Sequence, residues 1–376
     1  MSALSPALSE ALDRTLREVV EPQALDTDRQ GRFPRAAITA LGEAGLLGLV
    51  SATAMGGAGG NLSDASAVVS RLAQHCSSTA MVVCMHYCAT AVIEQFGAES
   101  VRRDVAAGRH LSTLAFSEAE SRSHFWAPVS TAQVRDGVVR LDARKSWVTS
   151  AAEADSYVWS SKPLSADGPS TLWLVDAKAG GLTVAAGFDG LGLRGNASSP
   201  ITAQGVKVAI GDRLGEDGKG FDAMMGVVLP WFTSLNASCS VGLMEGAIAR
   251  AIAHVGATRH QHLGTSLADL PTIRAYLARA RIRTDMTHGL LADTLGAIAT
   301  GRADTMLRVL EIKVAAAESA LEVTDLAMRV CGGAAFRKEA GIERLFRDAR
   351  AANVMAPTSD VLYDFIGKAI TGLPLF

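Results

Sequence analysis

The segment GVVRLDARKSWVTS, residues 137–150, decides the fold class, because apolar and polar residues alternate in it while the flanking sequence has helical periodicity. Three more short β-rich runs follow, SYVWSS, TLWLVDA and GLTVAA, punctuated by Gly and Asp at turn intervals. We therefore predict an α+β multidomain protein. It has an N-terminal helical domain at residues 1–111, a middle β domain at 112–213 and a C-terminal four-helix bundle at 214–376.

The flanking segments are predicted to be helical from the spacing of their apolar residues. Such residues recur every three or four positions in FPRAAITALGEAGLLGLV, residues 33–50, and in SVGLMEGAIARAIAHVGATR, residues 240–259. The Ala-rich segment LRVLEIKVAAAESALEVTDLAMRV, residues 307–330, is apolar on more than one face. Helices of this kind indicate a bundle that also packs against a second subunit.

Composition excludes several classes of function. The chain has 36 Lys and Arg against 38 Asp and Glu, and this balance gives no basic surface for nucleic acid or for a membrane. The N-terminus carries Glu10 and Asp13 and no apolar signal core, so we expect a cytoplasmic protein. No apolar run approaches 18 residues, so we expect no transmembrane segment. The five cysteines lack paired CxxC spacing, and we interpret them as buried thiols with no metal site.

Three motifs in order resemble the acyl-CoA dehydrogenase family over essentially the whole chain. STLAFSEAESRSHFW (112–126) followed by RKSWVTS (144–150) is similar to the family's T-E-P-x-x-G-S-D and K-x-W-I-T elements. LGLRGNASSPITAQGVKV (191–208) is similar to its L-G-x-R-G-S-x-T strand pair, and CGGAAFRKEAGIERLFRDAR (331–350) to its G-G-x-G-F and R-x-x-R-D-x-R run. The resemblance implies the fold of that family, bound FAD and a homotetramer.

A planar flavin ring requires an apolar aromatic wall and hydrogen-bond donors at its edge. Trp147 and Thr149 are two residues apart in a predicted strand and so lie on one face. The resemblance implies that Trp147 packs against the ring and Thr149 reaches its edge. Phe116 and Ser117 are expected to supply backbone and hydroxyl contacts, and an ordinary half-buried strand tryptophan is the alternative for Trp147.

The remaining flavin contacts are assigned by resemblance alone. Glycines allow close backbone approach to a pyrophosphate, and Gly332 and Gly333 fit that role across a subunit interface, unless they simply end a helix. Arg259, or His260 in the neighbouring register, corresponds to the family's pyrophosphate donor. Thr358 matches the Thr that follows the family's catalytic Glu and is predicted to contact the cofactor.

The substrate loop departs from the family pattern. Ala119, Glu120 and Arg122 stand where the family has Pro, Gly and Gly, and His124 stands where it has Asp. Ser123 is retained. We predict that Ser123, Arg122 and His124 contact the substrate, as a phosphopantetheine or an acidic group, or else that they form a solvated loop.

The catalytic acid of the family is missing. Ala356 and Pro357 replace its Glu-Gly, and the alternative position on an earlier helix carries no acid between Asp222 and Glu245, with Phe232 near the expected place. We expect Ala356 and Phe232 to line the substrate pocket. The available replacement bases are His86 and Asp360, although His86 also fits a core histidine and Asp360 a helix cap.

Two activities therefore remain open. The first is FAD-dependent α,β-oxidation of an acyl thioester of coenzyme A or acyl carrier protein, with a non-standard base and an electron-transferring flavoprotein as partner. The alternative is a flavin-dependent monooxygenase of the same fold that uses reduced flavin, O2 and a separate flavin reductase. A non-redox use of bound flavin is a third interpretation.

Overall fold

The computed structural model of the protein describes residues 4–122, 124–262 and 264–376, and it has helices, then strands, then helices along the chain. The predicted α+β multidomain class is confirmed, with a helical N-terminal part, a middle β part and a C-terminal helical bundle. All five cysteines are free thiols in buried positions, as predicted.

The N-terminal part is helical because each segment buries an apolar stripe. The helix α4 begins at a reciprocal cap in which Asn61 and Asp64 satisfy each other's backbone N–H groups. The helix α5 is buried on nearly every face and forms the centre of this part. The helices are α1 (Pro6–Thr15), α2 (Glu21–Gln30), α3 (Arg35–Glu43), α4 (Leu62–His75), α5 (Ser77–Phe96) and α6 (Glu99–Ala106), with a π-helical turn, Leu16–Val20, joining α1 to α2.

The middle part contains two four-stranded sheets, ordered β1-β4-β5-β8 and β2-β3-β7-β6. Trp159 and Trp173 are register partners in the first sheet and are fully buried between the sheets. The strands are β1 (Ser112–Ala115), β2 (Thr131–Arg135), β3 (Val138–Val148), β4 (Ser156–Ser161), β5 (Thr171–Asp176), β6 (Leu182–Val184), β7 (Ser199–Val208) and β8 (Arg213–Leu214).

One motif of the middle part differs from its prediction. Residues 191–208 were expected to form a strand pair, but only β7 within them is a strand. Leu193 and Ala197 have positive φ angles, and such angles interrupt a pleated strand. The preceding residues instead form an irregular segment that packs against the C-terminal part.

The C-terminal part is a bundle around α8, which continues a helix that begins at Gly220. This 38-residue helix is apolar enough to cross a membrane by length and composition, but 83% of its apolar window is buried in the protein. It is thus packed as a core helix. The elements are α7 (Gly220–Ala223), a π-helical turn (Met224–Val228), α8 (Leu229–Ala257), the hairpin β9 (Arg259–His260) and β10 (Thr265–Ser266), α9 (Pro271–Thr300), α10 (Thr305–Cys331), α11 (Ile342–Asp348), α12 (Ala351–Val354) and α13 (Ser359–Thr371).

One arginine joins the three parts. The guanidinium of Arg347 in α11 donates to both carboxylate oxygens of Asp28 in α2, at 3.0 and 2.6 Å, and to Glu343 at 2.6 Å. It also donates to the carbonyl of Leu191 in the middle part at 2.8 Å. The backbone at Gly192 lies close to the backbone at Arg347, because a Cβ built on Gly192 would lie 2.6 Å from the Arg347 carbonyl oxygen. This contact therefore links the three parts directly.

We predict that Arg347→Met lowers the free energy of unfolding by about 3–5 kcal/mol, because the Asp28 carboxylate would remain buried without its partner. The Asp28 side chain is only 5% exposed. Chemical denaturation monitored by tryptophan fluorescence measures the change. The control is Arg103→Ala, which breaks an exposed i,i+4 pair with Glu99 and should cost under about 0.5 kcal/mol. Equal losses in the two variants would contradict the prediction.

Candidate active site

A cavity of about 580 Å³ lies where the three parts meet. Its volume is in the range of pockets that enclose small-molecule ligands. Apolar side chains from α5, β1, α8 and α12 form much of the wall, and hydroxyl and backbone groups of the middle part form one edge. The lining includes Met81, Met85, Leu114, Phe116, Ser117, Glu118, Arg122, Phe125, Trp147, Thr149, Phe188, Arg194, Val228, Phe232, Val354 and Ala356.

An exposed aromatic pair forms one side of the cavity. The Trp147 ring stacks on Phe188 with centroids 3.9 Å apart, yet the Trp147 residue remains 62% exposed. The predicted reason for its position was wrong, since Trp147 and Thr149 do not simply alternate along a strand. Trp147 lies at a β-bulge with φ 55°, and Thr149 follows the end of β3. The bulge nevertheless leaves both residues in the cavity wall.

The polar edge of the cavity comes from the end of β1 and the end of β3. Phe116 is buried and stacks at 6.3 Å on Phe125. The Ser117 carbonyl accepts a hydrogen bond from the Ser146 N–H at 2.9 Å, and this bond joins the two strand ends. Thr149 is buried with its hydroxyl 3.4 Å from that of Ser198. These hydroxyl and backbone groups are suited to contact the edge of a flat, polar-rimmed ring.

Glu118 closes the base of the substrate loop. Its carboxylate accepts from the Val129 N–H at 2.7 Å, from Ser130 and from the buried Lys145 ammonium at 2.6 Å. Burial opposes ionisation, but Lys145 and the other donors hold the pKa of Glu118 below its usual value. The partners of Glu118 are distant in the sequence, so no local motif predicts them. Because both oxygens are engaged, Glu118 has a positioning role.

The substrate loop places its three predicted contacts differently. Arg122 lines the cavity at its exposed edge, with φ 49°. The His124 imidazole is exposed, lies edge-on to Trp126 at 5.2 Å and is not among the cavity-lining groups. Its predicted substrate contact is therefore not supported. Ser123 lies outside the described residues.

The two residues that stand at the family's acid positions, Ala356 and Phe232, line the cavity. A buried lysine holds the turn that carries Ala356. The ammonium of Lys313 in α10 donates to the carbonyls of Ala352, Met355 and Pro357 at 2.8, 3.1 and 2.9 Å. Burial lowers the pKa of Lys313 to about 7, while three acceptors for three N–H groups favour the charged form. No sequence motif predicts this role of Lys313, since a lysine in an Ala-rich helix resembles a surface residue.

His86, one of the two candidate bases, is a core residue. Its Nε2 lies 3.1 Å from the Leu47 carbonyl, and its Nδ1 accepts from the Ser112 N–H at 3.2 Å. The residue is fully buried and does not line the cavity. Burial lowers the pKa of His86 to about 4. Neither nitrogen is available to a substrate, so the predicted base role is wrong.

Asp360, the other candidate base, lies on the surface. It is exposed in the first turn of α13 and does not line the cavity. Thr358 is the N-cap of the same helix, and its hydroxyl accepts from the Val361 N–H at 3.5 Å. A carboxylate in this position stabilises a helix start. The structure thus supports capping roles and gives no support to base catalysis by Asp360 or to a cavity contact by Thr358.

The residues predicted to hold the dinucleotide tail lie apart from the cavity. Arg259 is exposed in the β9–β10 hairpin. Gly332 ends α10 with φ 54°, and a Cβ built on Gly332 or Gly333 would meet no atom within 4 Å. The helix-end interpretation of Gly332 is therefore correct. A role of these residues in a site shared with a second subunit remains a prediction.

Comparison with known proteins gives concordant matches. Family profiles match the N-terminal domain of acyl-CoA dehydrogenases at residues 5–108, the middle domain at 113–206 and the C-terminal domain at 218–371. The mitochondrial short-chain specific acyl-CoA dehydrogenase of Bos taurus is 26% identical over 368 residues, which are 95% of this chain and 88% of that protein.

Solved structures match over the full chain as well. Butyryl-CoA dehydrogenase from Megasphaera elsdenii superposes with a TM-score of 0.91 at 21% identity, covering 99% of this chain and 100% of that chain. An FAD complex of PigA superposes with a TM-score of 0.88 at 18% identity and covers 99% of each chain. At these identities the structures establish a common fold.

We predict that His86→Gln flattens the dependence of stability on pH between about pH 4 and 6.5. In this window the unfolded chain binds a proton at His86 that the folded protein does not, because the pKa is about 4 in the folded state and 6.5 in the free side chain. Above pH 6.5 His86 does not reduce the free energy of unfolding, and this free energy falls as the pH decreases from 6.5 towards 4. The total decrease from His86 is on the order of 3 kcal/mol.

Denaturant titrations at several pH values test this prediction, with the exposed His262→Gln as the control variant. The slope in the His262 variant should equal that of the unsubstituted protein. An unchanged slope in the His86 variant would show that His86 does not titrate as its burial requires.

Proposed function

The chain belongs to the acyl-CoA dehydrogenase family, and from this premise we propose that it is an FAD-dependent oxidoreductase that oxidises an acyl thioester in the cavity. The observation that carries the proposal is the cavity wall itself. An exposed Trp147–Phe188 stack and the Ser117 and Thr149 hydroxyls border one apolar space. This combination suits a flavin ring beside an apolar substrate.

The residues present fit FAD. A tryptophan that is 62% exposed while lining a cavity offers a surface that a planar ring would cover. Trp147 would pack on the ring, while Ser117 and Thr149 would donate to its polar edge. Bound FAD supplies an acceptor for a hydride and, once reduced, a donor of electrons.

We extend the proposal to a homotetramer. Gly332, Gly333 and either Arg259 or His260 are exposed or partly exposed, apart from the cavity of their own chain. A pyrophosphate could lie against the glycines because they have no side chains to block its approach. The exposed Ile282 and Met286 in α9 offer an apolar face for a second copy of the chain.

The protein itself orients the substrate and excludes water. Phe232 of α8, Val228 at the end of the preceding π-helical turn and Met81 of α5 give the cavity apolar walls. Lys313 holds the carbonyls of the turn that carries Ala356, so that the turn keeps its position in the wall. An acyl chain would be stabilised by burial of its apolar surface.

A second candidate function is favoured by the chemistry of the lining. Among the described residues that line the cavity, Glu118 is the sole carboxylate, and both of its oxygens are engaged by Val129, Ser130 and Lys145. General-base catalysis contributes roughly 10²–10⁴ in rate, so its lack would slow removal of an α-proton. A monooxygenase reaction with reduced flavin and O2 has no such step and suits an apolar pocket.

The two candidates require different partners. An acyl thioester dehydrogenase of this kind passes its electrons to an electron-transferring flavoprotein, whereas a monooxygenase receives electrons from a flavin reductase. The carrier of the acyl group in the dehydrogenase reaction is coenzyme A or an acyl carrier protein, and the monooxygenase reaction also admits another small apolar substrate. The direction of electron flow is therefore the property to measure.

We predict that the purified protein binds FAD and that acyl thioesters bleach its flavin absorbance in the absence of O2. Absorbance near 450 nm, about the usual maximum for oxidised flavins, follows both events. A panel of butyryl-, hexanoyl- and octanoyl-CoA supplies the substrates, and the free acids are the controls. Protein that neither contains nor takes up FAD would refute the proposal.

The same protein separates the two candidates. Failure of every thioester to bleach bound FAD, together with incorporation of ¹⁸O from O2 into a thioester after chemical reduction, would favour the monooxygenase. Bleaching in the absence of O2, followed by release of an α,β-unsaturated thioester, would favour the dehydrogenase.

We predict that Ala356→Glu raises the rate of thioester oxidation by about 10²–10⁴, because it adds a carboxylate to the cavity wall where the family has one. The matched control is Ala356→Gln, which has nearly the same volume and no base. Stopped-flow bleaching of the flavin gives the rate. Equal rates in the two variants would show that a base at residue 356 has no access to the substrate.

A further inference from the structure

We propose that the C-terminal tail, residues 372–376, positions one wall of the cavity from outside it. Phe376 packs on Trp126 and thereby holds the neighbouring Phe125 in the cavity wall. The proposal rests on the proposed function only in taking the cavity as the binding site of an apolar substrate. It adds a positioning residue, Phe376, that does not line the cavity and yet sets the affinity for that substrate.

The substrate loop is joined at its ends and held in its middle by aromatic side chains. It connects β1 to β2, and the Glu118 carboxylate accepts from the Val129 N–H at 2.7 Å and from the Ser130 N–H at 3.1 Å. Compact surface loops whose ends lie close together are held by the packing of their own side chains. Phe125 and Trp126 are buried in this loop and so define where it lies.

The rings of these two neighbouring residues face different parts of the protein. Phe125 lines the cavity and stacks on Phe116, another residue of the wall, with centroids 6.3 Å apart. Trp126 contacts Phe365 of α13 at 5.6 Å and Phe376 at 5.4 Å. The Phe125 and Trp126 rings meet edge to face at 5.2 Å. A displacement of Trp126 therefore displaces Phe125 from the wall, because the two residues are bonded and their rings are in contact.

The tail folds back along α13 at a glycine. Gly372 ends the helix with φ 74°, in the left-handed region that glycine favours. The Leu373 N–H donates to the Lys368 carbonyl at 2.9 Å, and the Lys368 ammonium donates to the Leu375 carbonyl at 3.4 Å. These bonds place Phe376 beside the helix, where its ring reaches the loop.

Phe376 joins the loop to two helices. Its ring lies 5.4 Å from Trp126, 5.2 Å from Phe365 and 5.1 Å from Phe221 of α7, in edge-on contacts that are favourable for aromatic rings. Among the described residues, Phe365 and Phe376 are the aromatic partners of Trp126 from outside its loop. Because Phe376 is 59% exposed, its contacts can break without unfolding of the core. Loss of this ring would free one side of the indole.

Limited trypsin digestion measures how firmly the loop is held and requires neither flavin nor substrate. Arg122 is exposed in the loop, and the rate of cleavage after it follows the fraction of molecules in which the loop is displaced. We expect Phe376→Ala to raise this rate at least about fivefold. Cleavage after the exposed Arg135 in β2 is the internal reference, because global unfolding would raise it and displacement of the loop would not.

Variants of the tail and of the loop are the controls. Leu373→Ala removes an apolar side chain of the same 59% exposure and should leave the rate within about twofold of the unsubstituted protein. Phe376→Tyr keeps the ring and should also stay within about twofold. In a Trp126→Leu background, Phe376→Ala should have no further effect, because both changes remove the same contact.

Binding of an apolar ligand tests the effect on the cavity. Calorimetry gives the dissociation constant of S-hexyl-CoA for the FAD-loaded protein, and this thioether lacks the carbonyl that acidifies the α-proton of a substrate. We expect Phe376→Ala to raise the dissociation constant at least about fivefold, and Phe376→Tyr and Leu373→Ala to leave it within about twofold. The FAD content should be unchanged, because Phe376 does not line the cavity.

Four results would overturn the proposal. They are an unchanged cleavage rate in Phe376→Ala, an equal increase in Leu373→Ala, a parallel increase after Arg135, and raised cleavage with an unchanged dissociation constant. A protein that binds no FAD would refute the proposed function instead, while digestion and calorimetry of the same variants would still decide the role of the tail.

Discussion

The bidentate contact between Arg347 and Asp28 is the interaction on which the rest of the structure depends. A single guanidinium contacts the N-terminal part through Asp28, the middle part through the Leu191 carbonyl and its own helix through Glu343. Both partners are largely buried, so the pair is stable only while all these acceptors are in place. The cavity lies at the junction that this contact organises, and its shape is a consequence of it.

Buried polar groups elsewhere position the walls of the cavity rather than react in it. Lys313 satisfies three carbonyls of the turn that carries Ala356, and Glu118 with Lys145 closes the substrate loop. Each group is fully paired, which is the condition for burying charge without a large loss of stability. The surfaces that face the ligand are then free to be apolar or hydroxyl-bearing. The lining of the cavity is thus poor in acid–base groups among the described residues.

Much of the architecture and part of the site were predictable. The order of helical, β and helical parts follows from apolar periodicity, and Phe116, Ser117, Trp147, Thr149, Phe232 and Ala356 all line the cavity. His86 and Asp360 were misjudged because a sequence shows residue type but not direction. The His86 ring faces the Leu47 carbonyl and the Ser112 N–H, and Asp360 lies at an exposed helix start. The long-range partners of Lys313 and Glu118 leave no periodic signal.

By itself the sequence determined the fold class, the family and the lack of an acid at residue 356, because these depend on local spacing and on residue type. Only the tertiary structure decided which polar groups are available to a ligand. Three side chains are of types that can act as acids or bases, those of His86, Glu118 and Lys313. All three already make hydrogen bonds to residues distant in the sequence. Arg122 remains uncommitted for the opposite reason, since its loop places it at the cavity edge with no described acid beside it. Whether a polar group is available to a ligand depends on which other residues folding places beside it.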